Sequence, residues 1–146
     1  MTPQRSAHVY QVLIIGSGFS GLCMAIQLQK AGIDDFKVIE KASKVGGTWR
    51  ENTYPGAACD VQSHLYSLSF APNPAWSKVF SGWQEIQAYL EQVQSDYALV
   101  DNIQFNTEMV GATFNEVSGL WQVSLKSGQH MQARHLVLGT GPLHMP

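Results

Sequence analysis

The chain has little of what staples, charges or spans a protein. Among its 146 residues are only two cysteines, Cys23 and Cys59, too few for a disulfide framework and not spaced as a zinc site. Charged residues make up 14% of the chain, the formal net charge is −2, and no run of lysine or arginine occurs. The basic surface that nucleic acid or an anionic membrane requires is therefore missing. The five histidines are scattered, and none is paired with a carboxylate or thiol at ligand spacing, so no metal site is expected. The apolar run "VLII" near the N-terminus has the length of a strand and is far too short to cross a bilayer. No small-residue cleavage site follows it, which argues against a signal peptide. The expectation is a cytoplasmic protein of one domain, long enough to bury a sizeable core. There are no internal repeats, low-complexity tracts or linkers.

What is present is a sequence whose period changes along its length. Residues 9–15, "VYQVLII", are apolar and β-branched with a glycine directly after them, the pattern of a buried parallel strand. "FSGLCMAIQLQKAG" then carries apolar residues at helical spacing, with Gly32 placed to end the helix. "DFKVIE" is a second short strand, so the first forty residues form a β-α-β unit. Residues 42–80 are irregular, proline-bearing and aromatic, and within them "SHLYSLSF" alternates over too short a stretch to settle a strand. Ser81 is placed to cap a helix, with Glu85 near its positive end. Ile86, Leu90, Val93 and Tyr97 share one face of that helix. Residues 103–105 suggest a third strand. From Thr107 the period becomes two, and Ser118-Gly119 and Ser127-Gly128 divide the rest into three runs, a β-meander whose last run, "HLVLGT", ends in glycine.

The chemistry begins at "GSGFSG", Gly16 to Gly21, between the first strand and the first helix. In such a turn the first glycine lets the chain leave the strand sharply, and the second removes a side chain where a pyrophosphate approaches. The third lets helix and strand pack closely. The helix N-terminus offers unpaired N–H groups and partial positive charge to the phosphates. A lone GxGxxG is weak, but here strand, helix and second strand are all in place. The second strand ends in Glu40, nineteen residues after Gly21, where a carboxylate accepts hydrogen bonds from ribose hydroxyls. A carboxylate there repels a 2′-phosphate, so the site suits FAD or NAD. The expected fold class is α/β, a Rossmann-like FAD/NAD(P)-binding domain with a parallel sheet, a βαβ unit and a β-meander.

The next stretch narrows this. "EKASKVGGTW" places a Gly-Gly pair six and seven residues after Glu40, which resembles the two-dinucleotide flavoproteins. "GGTWRENTYPGAACDVQSHLYSLSF" resembles the Baeyer–Villiger type of class B flavin-dependent monooxygenase, with its Gly-Gly-x-Trp, Asn-x-Tyr-Pro-Gly-Ala-x-Cys-Asp and Tyr-Ser-(Phe/Leu)-Ser-Phe runs. "FNTEMVGATFNEVSGLWQV" and "ARHLVLGTGPLHMP" also look like that family's FAD domain. The resemblance implies that Gly16, Ser17, Gly18, Ser20 and Gly21 contact the FAD pyrophosphate, and that Glu40 and Lys41 contact its ribose and adenine side. Gly47, Thr48, Trp49, Asp60, Val61 and Tyr66 would line the flavin half. Val110 would supply backbone contacts to adenine, and Thr140 and Gly141 would lie beside the pyrophosphate. Asp60 would face the nicotinamide of NADPH and orient an arginine, the one catalytic role carried over.

The residue types fit a flavin. A large flat ring needs small neighbours such as Gly56, Ala57 and Ala58, and an oxygen-using site needs a dry wall, for which Trp49 and Tyr54 are candidates. Taken singly these residues have plainer uses. Asp60 can cap a turn through its side chain, Trp49, Tyr54 and Tyr66 can be core, and Lys41 can be a solvated charge. Trp76, Trp83 and Trp121 are expected to pack. The family's second Gly-rich βαβ unit for NADPH, its Phe-x-Gly-x-x-x-His-x-x-x-Trp run, its arginine and its C-terminal FAD-domain segment do not occur in this sequence. Residues 1–146 are thus expected to be the N-terminal portion of an FAD-binding domain, inactive alone. The parent would oxidise a ketone or a heteroatom in a small organic substrate with NADPH and O2, and the incomplete sheet edge would favour self-association. A non-catalytic dinucleotide-binding module and the FAD half of an N-hydroxylating monooxygenase remain alternatives.

Overall fold

The first strand, β1 (Val9–Ile15), is buried on both faces, and the rest of the chain is arranged around it. The computed structural model describes residues 8–143. Residues 1–7 and 144–146, which include the end of the "ARHLVLGTGPLHMP" run, lie outside them. After β1 come α1 (Phe19–Lys30), β2 (Phe36–Ile39), the single turn α2 (Thr48–Glu51), α3 (Trp83–Asp96), β3 (Ile103–Gln104), β4 (Met109–Asn115), β5 (Leu120–Leu125) and β6 (His130–Leu138). The six strands form one sheet in the order β3-β2-β1-β6-β5-β4. β3, β2, β1 and β6 run parallel, with Ile14 opposite Val38 on one side and Val137 on the other. β6, β5 and β4 run antiparallel, the expected meander.

Because side chains alternate along a strand, β1 serves two cores. Val12 and Ile14 pack with Leu22, Ala25 and Ile26 of α1 and with Leu90 and Val93 of α3. Leu13 and Ile15 pack with Ile39 of β2 and with Val123, Leu125 and Ala133 of the meander. Each valine, leucine or isoleucine among them contributes about 1.5–3 kcal/mol when fully buried.

One local expectation fails, and one open reading is decided, for non-local reasons. Ser81 does not cap α3. The N-cap is Gly82, and Ser81 is buried with its N–H and Oγ both bonded to Ser63 Oγ, at 2.8 and 2.9 Å. Glu85 in the first turn of α3 accepts from the N–H and hydroxyl of Ser77, which closes the preceding loop. "SHLYSLSF" forms no strand; it makes a 3-10 turn at Ser63–Leu65 and an isolated bridge between Leu68 and Ala71. The Tyr89 hydroxyl of α3 accepts from Leu68 N–H (2.8 Å) and donates to the Ala71 carbonyl (2.7 Å), filling backbone positions a strand partner would take.

The ends of β2, β1 and β6 are laced together. Gly16 N–H donates to the Ile39 carbonyl and Gly139 N–H to the Ile15 carbonyl, each at 2.8 Å. Gly21, in the first turn of α1, rests directly on the Gly16 carbonyl, so that any Cβ there would overlap that oxygen. A Cβ on Gly139 would in turn stand 3.1 Å from the Ile15 oxygen and 3.2 Å from Gly21 N. Gly21→Ala is therefore expected to lower unfolding free energy by about 1–3 kcal/mol through overpacking. Gly111→Ala, where a Cβ meets nothing within 4 Å, should stay within about 0.5 kcal/mol. Urea denaturation of both variants checks this; equal midpoints would contradict the close approach at Gly21.

Candidate dinucleotide-binding site

The turn from β1 to α1 is open where a phosphate would sit. Gly16 takes φ +97°, which a side chain resists. α1 starts after Gly18 with no side-chain cap, so its first N–H groups keep their donor capacity and the positive end of the helix dipole. Ser20 in that first turn is exposed. The Gly46-Gly47 pair lies on this turn: Gly46 N–H donates to the Ser17 carbonyl at 3.1 Å, and a Cβ on Gly47 would stand 3.1 Å from Gly18 Cα. On the β6 side, Gly139 leads into the exposed Thr140 and Gly141. Three glycine-bearing backbone segments thus converge at the ends of the parallel strands, where open α/β sheets bind ligands.

Glu40 stands at the end of β2 as expected, but its carboxylate is turned to its own chain. It is 4% exposed. Its Oε2 accepts from Ser17 N–H (2.9 Å) and from the Ser17 hydroxyl (2.7 Å), and its Oε1 accepts from Ala42 N–H (2.9 Å). Arg50 Nη1 lies 3.3 Å from Oε1. Two carboxylate oxygens have about four acceptor positions, so this set fills them. Ser17 is fully spent on the same contacts and offers neither its N–H nor its hydroxyl outward. Burial pushes the Glu40 carboxyl up. The Ala42 N–H, the Ser17 hydroxyl, the Arg50 guanidinium and the Ser17 N–H together outweigh it and hold the group below the usual glutamate value. Arg50 was given no role by sequence reasoning. Its side chain, 11% exposed, also donates to the Lys44 carbonyl (2.6 Å) and to Glu51 (2.6 Å). Only its place in the turn after Gly-Gly could have signalled it.

The opening of the irregular segment builds an aromatic wall. Trp49 Nε1 donates to the Tyr66 hydroxyl at 3.1 Å, and the rings meet edge-on at 5.6 Å. Phe19 of α1 packs edge-on against Tyr66 at 5.2 Å, which brings the wall onto the phosphate turn. Burial raises the Tyr66 pKa; the Trp49 hydrogen bond lowers it, and the Cys59 and Asp60 charges raise it further. Thr48 begins α2 beside Trp49. Tyr54, a candidate for the same wall, is 62% exposed and takes no part, because the turn closed by Ala57 N–H on the Tyr54 carbonyl carries it outward. Asp60 is exposed and forms no hydrogen bond or ion pair among the described residues, so the turn-capping alternative is not found. Val61 donates its N–H to the Sγ of buried Cys59 (3.2 Å) while its side chain is exposed.

Lys41 and Val110 lie to one side. A depression of about 430 Å³ runs past Lys41, Thr107, Glu108 and Lys126, from the Glu40 strand end to the start of β4, where Val110 is exposed on the outer strand of the sheet. A second depression, about 460 Å³, lies between residues 53–58 and 78–84 and includes Trp83. Neither is lined by the Gly16–Gly21 turn. The other packing expectations hold, with Trp76 against Tyr89 and Trp121 against Phe114.

Fold and site together define a Rossmann-like dinucleotide-binding unit, and the family of NAD(P)-binding Rossmann-like domains matches residues 14–83. The chain is homologous over nearly its whole length to Baeyer–Villiger monooxygenases. It is 48% identical over 145 residues to a Baeyer–Villiger monooxygenase of Pseudomonas aeruginosa, an alignment covering 99% of this chain and 27% of the relative. Among solved structures, an oxidized steroid monooxygenase bound to NADP superposes with a TM-score of 0.88 at 36% identity, covering 95% of this chain and 28% of that one. A complex of OTEMO with FAD and NADP gives 0.87 at 30% identity, covering 97% and 28%. The chain thus spans about a quarter of the length of these relatives.

The Glu40 contacts fix a pH dependence. A carboxyl held below its unfolded value contributes stability that is complete above that value, about 4.3, and is lost as pH falls through the lower folded value. Glu40→Gln should therefore destabilise the chain at pH 7 by about 1.5–3 kcal/mol, the worth of hydrogen bonds to a charged group. The difference from the unsubstituted chain should shrink below pH 4.3. Chemical denaturation between pH 3 and 7 measures it; a difference independent of pH would contradict the assignment.

Proposed function

We infer that this chain is an FAD-binding domain portion of a flavin-dependent monooxygenase. The observation that supports it best is the uncapped α1 N-terminus, onto which Gly46-Gly47 and the Trp49–Tyr66 pair are packed. In this reading the N–H groups of the first turn of α1, from Gly18 through Ser20 and Gly21, bind the pyrophosphate, while Gly16 and Gly47 keep the backbone clear of side chains. Thr140 and Gly141 close the phosphate side from β6. Trp49 and Tyr66 stand along the flavin and exclude water, with Thr48 beside them. Lys41 and the backbone at Val110 serve the adenosine end. Glu40 and Ser17 act from behind, by holding the turn in shape. Asp60 and Val61 face outward, where the nicotinamide of NADPH would approach.

The flavin supplies the redox chemistry that no side chain here could. The whole protein would use NADPH and O2 to insert oxygen beside a ketone carbonyl or to oxygenate a heteroatom. No helix among the described residues is long and apolar enough to cross a membrane, in keeping with a cytoplasmic setting. The open backbone of β4, with Val110 and Phe114 exposed, gives a second copy an edge to pair with.

Adding FAD to the dialysed chain tests the reading. Flavin fluorescence should be quenched and visible absorbance should travel with the protein in gel filtration. A chain that takes up no FAD would overturn it and leave the non-catalytic module.

A further inference from the structure

We propose that Gln87 is a positioning residue of this site: from α3 it holds the Gly46-Gly47 pair against the phosphate turn. The inference rests on the FAD-binding reading above. Gln87 is 4% exposed and lies between Ile86 and Leu90 on the buried side of α3. An amide there is unfavourable unless its polar atoms are bonded. Its Nε2 is bonded, donating to the Val45 carbonyl and to Glu91 Oε1, each at 2.8 Å. Glu91 is itself held by Lys44 Nζ at 3.0 Å. The Oε1 is buried and has no hydrogen-bond partner among the described residues. It fills the place that a Cβ on Gly46 would occupy.

The consequence reaches the site in two steps. Gly46, at φ +135°, donates its N–H to the Ser17 carbonyl, and Gly47 rests on Gly18. Gln87 therefore fixes the carbonyl just before the Gly-Gly pair and walls off the first glycine of it. One buried hydrogen bond is gained and one buried acceptor is left unpaired, and these oppose each other. The side chain contributes little net stability; what it contributes is the direction of residues 45–47. The position shows a buried polar group breaking a local rule beside a binding site.

Gln87→Met keeps the length and removes both polar ends. In the 146-residue chain the expected result is a thermal midpoint unchanged or raised, with FAD dissociation constant increased at least about tenfold. Exchange of the Gly46 amide should accelerate by at least about tenfold, while the Leu13 and Ile14 amides of β1 keep their protection. A purely structural residue would lower the midpoint and expose all these amides together, and that outcome overturns the proposal. So does a variant with unchanged FAD affinity and unchanged Gly46 exchange. If the unsubstituted chain takes up no FAD, the functional reading fails separately, and the Gly46 exchange rate alone decides whether Gln87 positions the loop.

Discussion

A single carboxylate holds the binding end of this domain together. Glu40 is buried where β2 ends, and an isolated charge there would be costly. It is tolerated because Ser17, Ala42 and Arg50 bring donors from three different segments. Each of those segments is thereby fixed: the phosphate turn through Ser17, the exit from β2 through Ala42, and the turn after Gly-Gly through Arg50. Removing one partner of such a set leaves an uncompensated group, which is why buried polar networks succeed or fail as units.

This arrangement changes the electrostatic argument for cofactor choice. A free carboxylate at the end of β2 would repel a 2′-phosphate. Here its charge is met by Arg50 at 3.3 Å, so repulsion is reduced at the position where it was expected to discriminate. On the proposed reading, a preference for flavin would rest on shape: the Gly18–Gly47 approach, the small residues of the loop, and the wall formed by Phe19, Trp49 and Tyr66. The acid acts chiefly on the conformation of the Gly16–Gly21 turn, through its bonds to Ser17.

The frame was legible because its signals are local. β1, α1 and β2 follow from period and glycine placement, and the meander from alternation broken by Ser118-Gly119 and Ser127-Gly128. The turn at Gly16 and the close approach of Gly21 to the strand could be anticipated, since glycine permits them; the part Gly139 takes in the same contact could not. What escaped depends on contacts distant in sequence. Ser81 has the composition of a cap but is claimed by Ser63. "SHLYSLSF" alternates, yet a hydroxyl from α3 holds Leu68 and Ala71. Tyr54 belongs to the right motif and still faces water. Arg50 and Gln87 carry no period or motif of their own, and their importance appears only when the segments they touch are brought together.

Several local costs gather at the binding end of the sheet. α1 forgoes an N-terminal cap, a feature worth about 1 kcal/mol in helices that have one. Gly16, Gly46 and Gly47 occupy left-handed backbone, and Gln87 leaves an oxygen unpaired. Other local demands are met, by Asn115 for the amides of the β4–β5 turn and by Glu85 for the Ser77 amide before α3, while Trp76 Nε1 is buried without a partner among the described residues and Ala98 takes a left-handed backbone. An end held open in this way needs support from behind, and the two cores flanking β1 provide it. The N–H groups left free on α1 are those an anionic ligand can use, so the unspent hydrogen-bonding capacity and the conformational cost point to the same place. Phosphate binding would satisfy that turn, and the site is therefore expected to gain order with its ligand rather than merely to receive it.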